Sequence, residues 1–202
     1  MPSVAPEVKT RLCDQPRAAA IRVLAASSAA RAARPSAWAE DGLAQAAQPC
    51  AIAAAAFGFQ GQKCSACSRA IIVDEVYDEI VQKVVEHTKT LTIGDPTDPN
   101  TFMGAVIDAK ARKSITEYIE IGKAEGRLVY QGEAPADGYF VPPTIIADVD
   151  SRARIAQEEI FGPVLAFIRA RDYDHALEIA NDTEFGLTGA VYSRDRDRLE
   201  RA

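Results

Sequence analysis

Val164-Leu-Ala-Phe-Ile168 is an unbroken apolar run. A strand of that kind offers no polar face to water, so it has to be covered on both sides, as inner strands of mainly parallel sheets are. The rest of the chain reads as neighbours and coverings for it. Ala70-Ile-Ile-Val73, Arg127-Leu-Val-Tyr-Gln131 and Thr188-Gly-Ala-Val-Tyr192 are further strands, and Tyr139–Ala147 is extended. Within the last of these, Pro142-Pro143 suits an edge or the beginning of a strand, because proline cannot donate to a ladder. Helices fall between the strands. Ala51 to about Phe59 forms one, and Asp74 is positioned to cap a second with Tyr77, Ile80, Val81, Val84, Val85 and Leu91 along one face. Asp108 caps a third, with Ala111, Ile115, Tyr118 and Ile119 inward and Gly126 as its closing C′ residue. Tyr173, Ala176, Leu177 and Ala180 mark a fourth, and a charged helical tail runs from Arg194 to Ala202. Strands alternating with helices make this an α/β chain with a mainly parallel sheet flanked by helices.

The chemistry concentrates in Phe57-Gly-Phe-Gln-Gly-Gln-Lys-Cys-Ser-Ala-Cys-Ser-Arg69. Gly58 and Gly61 allow a tight turn or a close approach of backbone. Gln62 and Ser65 flank Cys64 with neutral hydrogen-bonding groups, and Lys63 sets a cation beside it. Cations and backbone N–H groups favour a thiolate, the form that attacks a carbonyl carbon. Other readings stand beside this one. A lone cysteine is most often a small buried hydrophobe. Cys64 and Cys67 also form a C-x-x-C pair, which fits a redox dithiol or half a zinc site. Zinc would need further ligands, whereas Cys13 and Cys50 are isolated and His87 and His175 are the only histidines. Spacing alone leaves these alternatives open.

The pattern around the cysteine goes further. Phe57, Gly61, Gln62 and Cys64, as Phe-x-x-x-Gly-Gln-x-Cys, resemble the active-site signature of the NAD(P)-dependent aldehyde dehydrogenases. Glu158-Glu-Ile-Phe-Gly-Pro-Val164 and Asn181-Asp-Thr-Glu-Phe-Gly-Leu-Thr188 resemble two further family motifs in the family's order. Residues 61–66, Tyr118-Ile-Glu-Ile-Gly-Lys123 and Ala153-Arg-Ile-Ala-Gln157 are similar to one branch, the L-glutamate γ-semialdehyde (1-pyrroline-5-carboxylate) dehydrogenases of proline catabolism. The resemblance covers about Ala51 to Ala202 and implies a partial aldehyde dehydrogenase catalytic domain. It implies NAD as cofactor, a small-molecule aldehyde as substrate, Cys64 as nucleophile and oxidation through a thiohemiacetal and a thioester. It assigns Glu159 to the nicotinamide ribose hydroxyls, Phe161 to the nicotinamide, Ser65 to the substrate carboxylate, and Leu187 to the same pocket. Without the motifs, Glu159 reads as a surface carboxylate, Phe161 and Leu187 as packing residues and Ser65 as a helix cap. The complete family enzyme is expected to be a homo-oligomer. Other readings are a non-catalytic remnant of the family and a member with another aldehyde substrate.

Residues 1–50 differ from the remainder. From Gln15 to Ala39 there is no acidic residue, four arginines occur, and alanine and serine dominate. Such a composition fits an organellar transit peptide, a solvated alanine-rich helix or a misread reading frame. The resemblance favours the last, because Pro35–Ala44 lacks the family's Glu-Leu-Gly-Gly-Lys-like segment with its general-base glutamate. Glu40, the nearest glutamate, stands in the wrong context. The segment is therefore expected to be disordered or irregularly helical. The oxyanion-hole asparagine is also unmatched, no G-x-G-x-x-G loop is present, and later family segments are missing. The chain is expected to be cut at both ends and inactive alone. A net charge of −6 argues against nucleic acid, and no apolar run approaches the ~20 residues of a membrane span. Four unevenly spaced cysteines fit a reducing compartment. The expected location is the cytoplasm, or the mitochondrial matrix if residues 1–50 are a transit peptide.

Overall fold

The computed structural model describes residues 23–26 and 49–202. The apolar run is strand β5 (Val164–Ala170), and its side chains divide between two cores. Leu165 and Phe167 enter one, with Ile52, Phe57, Ala70, Ile72, Tyr77, Ile80 and Val84. Val164, Ala166 and Ile168 enter the other, with Ile71, Ile115, Ile119, Ile155, Ala176 and Ile179. Alternation along a strand sends successive side chains to opposite faces, so the apolar run Val164–Ile168 feeds both cores at once. Each fully buried side chain of this size contributes about 1.5–3 kcal/mol.

Among the described residues six strands form one sheet in the order β3-β4-β5-β2-β1-β6. They are β1 (Val23–Ala26), β2 (Arg69–Val73), β3 (Arg127–Gln131), β4 (Thr144–Ala147), β5 and β6 (Ala190–Ser193). All neighbours run parallel except β3 and β4. Helix α1, whose described residues are 49–57, and α2 (Tyr77–Thr88) serve the first core. Helices α3 (Ala109–Glu125), α4 (Arg154–Gln157) and α5 (Tyr173–Asn181) serve the second, and α6 (Arg196–Arg201) ends the chain. Val23–Ala26 is thus a strand within the segment expected to be disordered or irregularly helical. The readings of residues 1–22 and 27–48 lie outside the described residues. Among the described residues no helix is long and apolar enough to cross a membrane.

Asp108 caps α3 as expected, accepting the Ala111 N–H at 2.7 Å. Asp74 does not cap α2. It opens a 3-10 turn, Asp74–Val76, and its carboxylate accepts from Arg169 at 2.7 Å. A charge-assisted bond to a guanidinium outcompetes a neutral cap. Helix α2 stops at Thr88, so Leu91 packs on the core from the following loop. Gly126 closes α3 in extended backbone (φ −161°), not the left-handed form of a C′ glycine. Glycine is needed there for closeness, since a Cβ would lie 2.8 Å from the Ala147 carbonyl oxygen. Of Tyr139–Ala147 only the last four residues are a strand, and Pro142-Pro143 stand just ahead of it. β4 is an inner strand, which needs donors that proline lacks.

Candidate active site

Helix α1 ends at residue 57, and the chain then takes three consecutive positive φ values: Phe59 (54°), Gln60 (59°) and Gly61 (66°). Two of these are not glycine, so the turn is strained by about 1–3 kcal/mol at each such residue. Two glutamines brace it. Gln60 Nε2 donates to the Ala105 carbonyl at 2.8 Å, and Gln62 Oε1 accepts from the Ile107 N–H at 2.9 Å. Gln62, beside the cysteine in sequence, thus uses its carbonyl oxygen to tie the turn to the segment before α3. A second turn follows, closed by Ala66 N–H to the Lys63 carbonyl at 2.9 Å, and Cys67 N–H returns to Ala55 at 3.2 Å. Cys64 rides exposed on that turn.

The two downstream motifs face it across an open cleft. Cys64, Glu159, Phe161, Phe185 and Leu187 all lie on the cleft wall. The close approach rests on two glycines. A Cβ on Gly61 would lie 2.3 Å from the Gly162 carbonyl oxygen, and one on Gly162 would lie 2.6 Å from Ile115. Gly61 thus packs its bare α-carbon on the Phe-Gly-Pro turn. Phe161, the first residue of that turn, has φ 53° and remains partly exposed. The Glu159 carboxylate makes no hydrogen bond or ion pair among the described residues and is exposed. It is therefore a charged acceptor available to a ligand. Ser65 is half-buried beside Cys64 but is not on the wall. The structure therefore brings Cys64, Glu159, Phe161 and Leu187 to one cleft, with Ser65 off its lining.

The two thiols differ. Cys67 is buried, its Sγ donates to the Arg69 carbonyl at 3.5 Å, and burial pushes its thiol up to about 12. The Lys63 ammonium is held below the usual lysine range, mainly by burial. Lys63 lines the same cleft as Cys64 and Cys67. Burial therefore keeps the Cys67 thiol in its protonated, unreactive form. Iodoacetamide is expected to label Cys64 at least about 100-fold faster than Cys67, as peptide mapping of timed samples would record. Equal or faster labelling of Cys67 would contradict the arrangement.

Arg69, at the start of β2, is buried with its guanidinium on the Ile179 and Ala180 carbonyls at 3.5 and 3.3 Å. There it meets the negative end of the α5 dipole and fixes α5, which leads into the loop of Phe185 and Leu187. Sequence reasoning missed Arg69, Gln60 and Phe185. Phe185 stood inside a quoted motif and was legible; the arginine's role depends on a contact between residues more than a hundred positions apart. Among the described residues no group of three or more His, Cys, Asp or Glu side chains could hold a metal ion.

A mainly parallel sheet between two cores, with three motifs meeting at one cleft around an exposed cysteine, defines a recognisable class. The chain belongs to the aldehyde dehydrogenase family, whose profile matches residues 41–202. It is 66% identical over 148 residues to the 1-pyrroline-5-carboxylate dehydrogenase of Geobacillus sp. (strain WCH70), covering 73% of this chain and 29% of that protein. The enzyme of the same name from Bacillus subtilis (strain 168) is 59% identical over the same shares. Among solved structures, 1-pyrroline-5-carboxylate dehydrogenase from Thermus with bound NAD superposes with a TM-score of 0.74 at 46% identity, over 77% of this chain and 30% of that one. Proline utilization A from Bdellovibrio bacteriovorus gives a TM-score of 0.75 at 45% identity, over 76% of this chain and 16% of that one. The chain spans less than a third of the length of the curated relatives it matches.

Proposed function

We propose that this chain carries the nucleophile and the nicotinamide-facing wall of an NAD-dependent dehydrogenase that oxidises L-glutamate γ-semialdehyde to L-glutamate in proline catabolism. The observation that carries the reading is the meeting of exposed Cys64 with the unpaired Glu159 and with Phe161 on one cleft. The substrate reading is supported by the names and identities of the relatives, 66% and 59% for the two 1-pyrroline-5-carboxylate dehydrogenases.

Cys64 Sγ, as thiolate, adds to the aldehyde carbon and forms a thiohemiacetal on the protein. NAD, when bound, supplies the hydride acceptor. Glu159 would accept hydrogen bonds from its ribose hydroxyls, and Phe161 would pack against its nicotinamide. The thioester left on Cys64 is hydrolysed by water, releasing the carboxylate and restoring the thiol. The Cys64 backbone N–H donates to the oxyanion of the tetrahedral species. Ser65 is assigned the semialdehyde's carboxylate by the resemblance alone.

A chimera in which this chain's residues replace the matched 148 residues of the Geobacillus relative tests the reading. Glu159→Gln removes a charged acceptor, and hydrogen bonds to charged groups contribute about 1.5–3 kcal/mol each. Its KM for NAD should rise about tenfold, since exposure screens part of that energy. Unchanged KM and kcat would return Glu159 to the surface. The 202-residue chain by itself is expected neither to bind NAD at micromolar concentration nor to turn over the semialdehyde. Among the described residues the cleft offers partners to the nicotinamide end only, while the cofactor's pyrophosphate and adenosine need partners too. Calorimetric titration with NAD and an absorbance assay check this, and measurable turnover would contradict it.

A further inference from the structure

One face of α3 runs under the whole approach to Glu159 and Phe161. Ile115, Tyr118, Gly122 and Glu125 recur at spacings of three and four residues, which stacks them on one side of a helix. Ile115 meets the bare α-carbon of Gly162, where a Cβ would lie 2.6 Å away. Tyr118 Oη donates to Glu158 Oε2 at 2.7 Å. Gly122 lets the helix lie flush, since a Cβ there would come within 2.3 Å of Ile146 and 3.2 Å of Ile155. The Glu125 carboxylate accepts from the backbone N–H groups of Arg154 and Ile155, both at 3.1 Å, and so caps the single turn of α4. Arg154 then grips Glu158 through two bonds of 3.0 and 2.9 Å.

Glu158 is thereby committed. Its bonds to Arg154 and then Tyr118 hold its carboxyl down at about 2, so it stays ionised at any working pH. Its backbone is extended (φ −102°, ψ 152°), a conformation that turns successive side chains to opposite sides. Holding Glu158 against α3 therefore sets the direction of Glu159, which has no partner of its own. We infer that Tyr118 and Glu125, acting through Glu158 and α4, are positioning residues for Glu159 and Phe161. This rests on the cofactor role proposed for Glu159.

In the chimera, Tyr118→Phe deletes one oxygen. It should raise KM for NAD about three- to tenfold, with kcat within about twofold and the rate of Cys64 labelling unchanged. Glu125→Ala should move KM in the same way, and Glu125→Gln, which keeps one acceptor, should fall between it and the parent. The inference is overturned if KM for NAD stays unchanged in Tyr118→Phe and Glu125→Ala while Glu159→Gln still raises it. It is equally overturned if these variants lower thermal stability and Cys64 labelling but leave KM alone, the mark of a purely structural role. An unchanged KM in Glu159→Gln instead removes the cofactor role itself and the inference with it, so the two failures are distinct. Should Glu125→Ala fail to fold, Tyr118→Phe decides alone.

Discussion

Cys64→Ala in the chimera is expected to lower oxidation of the semialdehyde by about 10⁴-fold or more, while NAD affinity stays within about twofold of the parent. Removing a nucleophile abolishes the covalent route rather than weakening it, and residual rates then come only from binding and oxyanion stabilisation. Affinity should persist because Glu159 and Phe161 lie on a different chain segment of the cleft from the thiol. The pairing of outcomes matters. A folding defect would depress both, whereas loss of the nucleophile depresses turnover alone. Steady-state rates with fluorescence titration of NAD measure the two together, and residual turnover within tenfold of the parent would remove Cys64 from the chemistry.

Gly61→Ala is expected to cost about 3 kcal/mol or more of stability and to disorganise the cleft. Two effects add there. The backbone sits at φ 66°, and the new Cβ would lie 2.3 Å from the Gly162 carbonyl oxygen, a backbone atom that cannot swing away. Relief requires separating the cysteine turn from the Phe-Gly-Pro turn, which undoes the meeting of Cys64 with Glu159. Gly58→Ala is the control, since its Cβ would meet only the flexible end of Lys63 at 3.4 Å, and it should stay within about 1 kcal/mol of the parent. Urea denaturation of the parent and both variants compares them. A Gly61→Ala midpoint equal to that of Gly58→Ala would contradict the packing described.

What the sequence revealed follows from the range of each interaction. β5 and the Asp108 cap were legible because apolar runs and caps are local. The six-residue span from Cys64 to Arg69 announced its chemistry but not its electrostatics. How far Lys63 is buried depends on how the turn folds, and burial of Cys67 is a property of the packed sheet. Asp74 was misread because its partner, Arg169, lies 95 residues away. The same holds for Gln62 and Ile107, 45 residues apart. Gly61, Gly126 and Gly162 were visible as glycines, but their need for closeness appears only when another segment arrives. Convergence of the three motifs on one cleft came from family resemblance, since no periodicity relates residues 64, 159 and 187. The α3 face was half legible: Ile115 and Tyr118 were read as apolar-side residues, yet the hydroxyl's grip on Glu158 was not.

The central claim is that Cys64 holds the substrate covalently in the cleft it shares with Glu159. Acid-quenching the chimera during turnover with L-glutamate γ-semialdehyde and NAD, followed by mass spectrometry of the peptide Cys64–Arg69, tests it directly. The account predicts a glutamyl thioester located by fragmentation on Cys64. The same adduct on Cys67, or steady turnover with no adduct at either thiol, would contradict it.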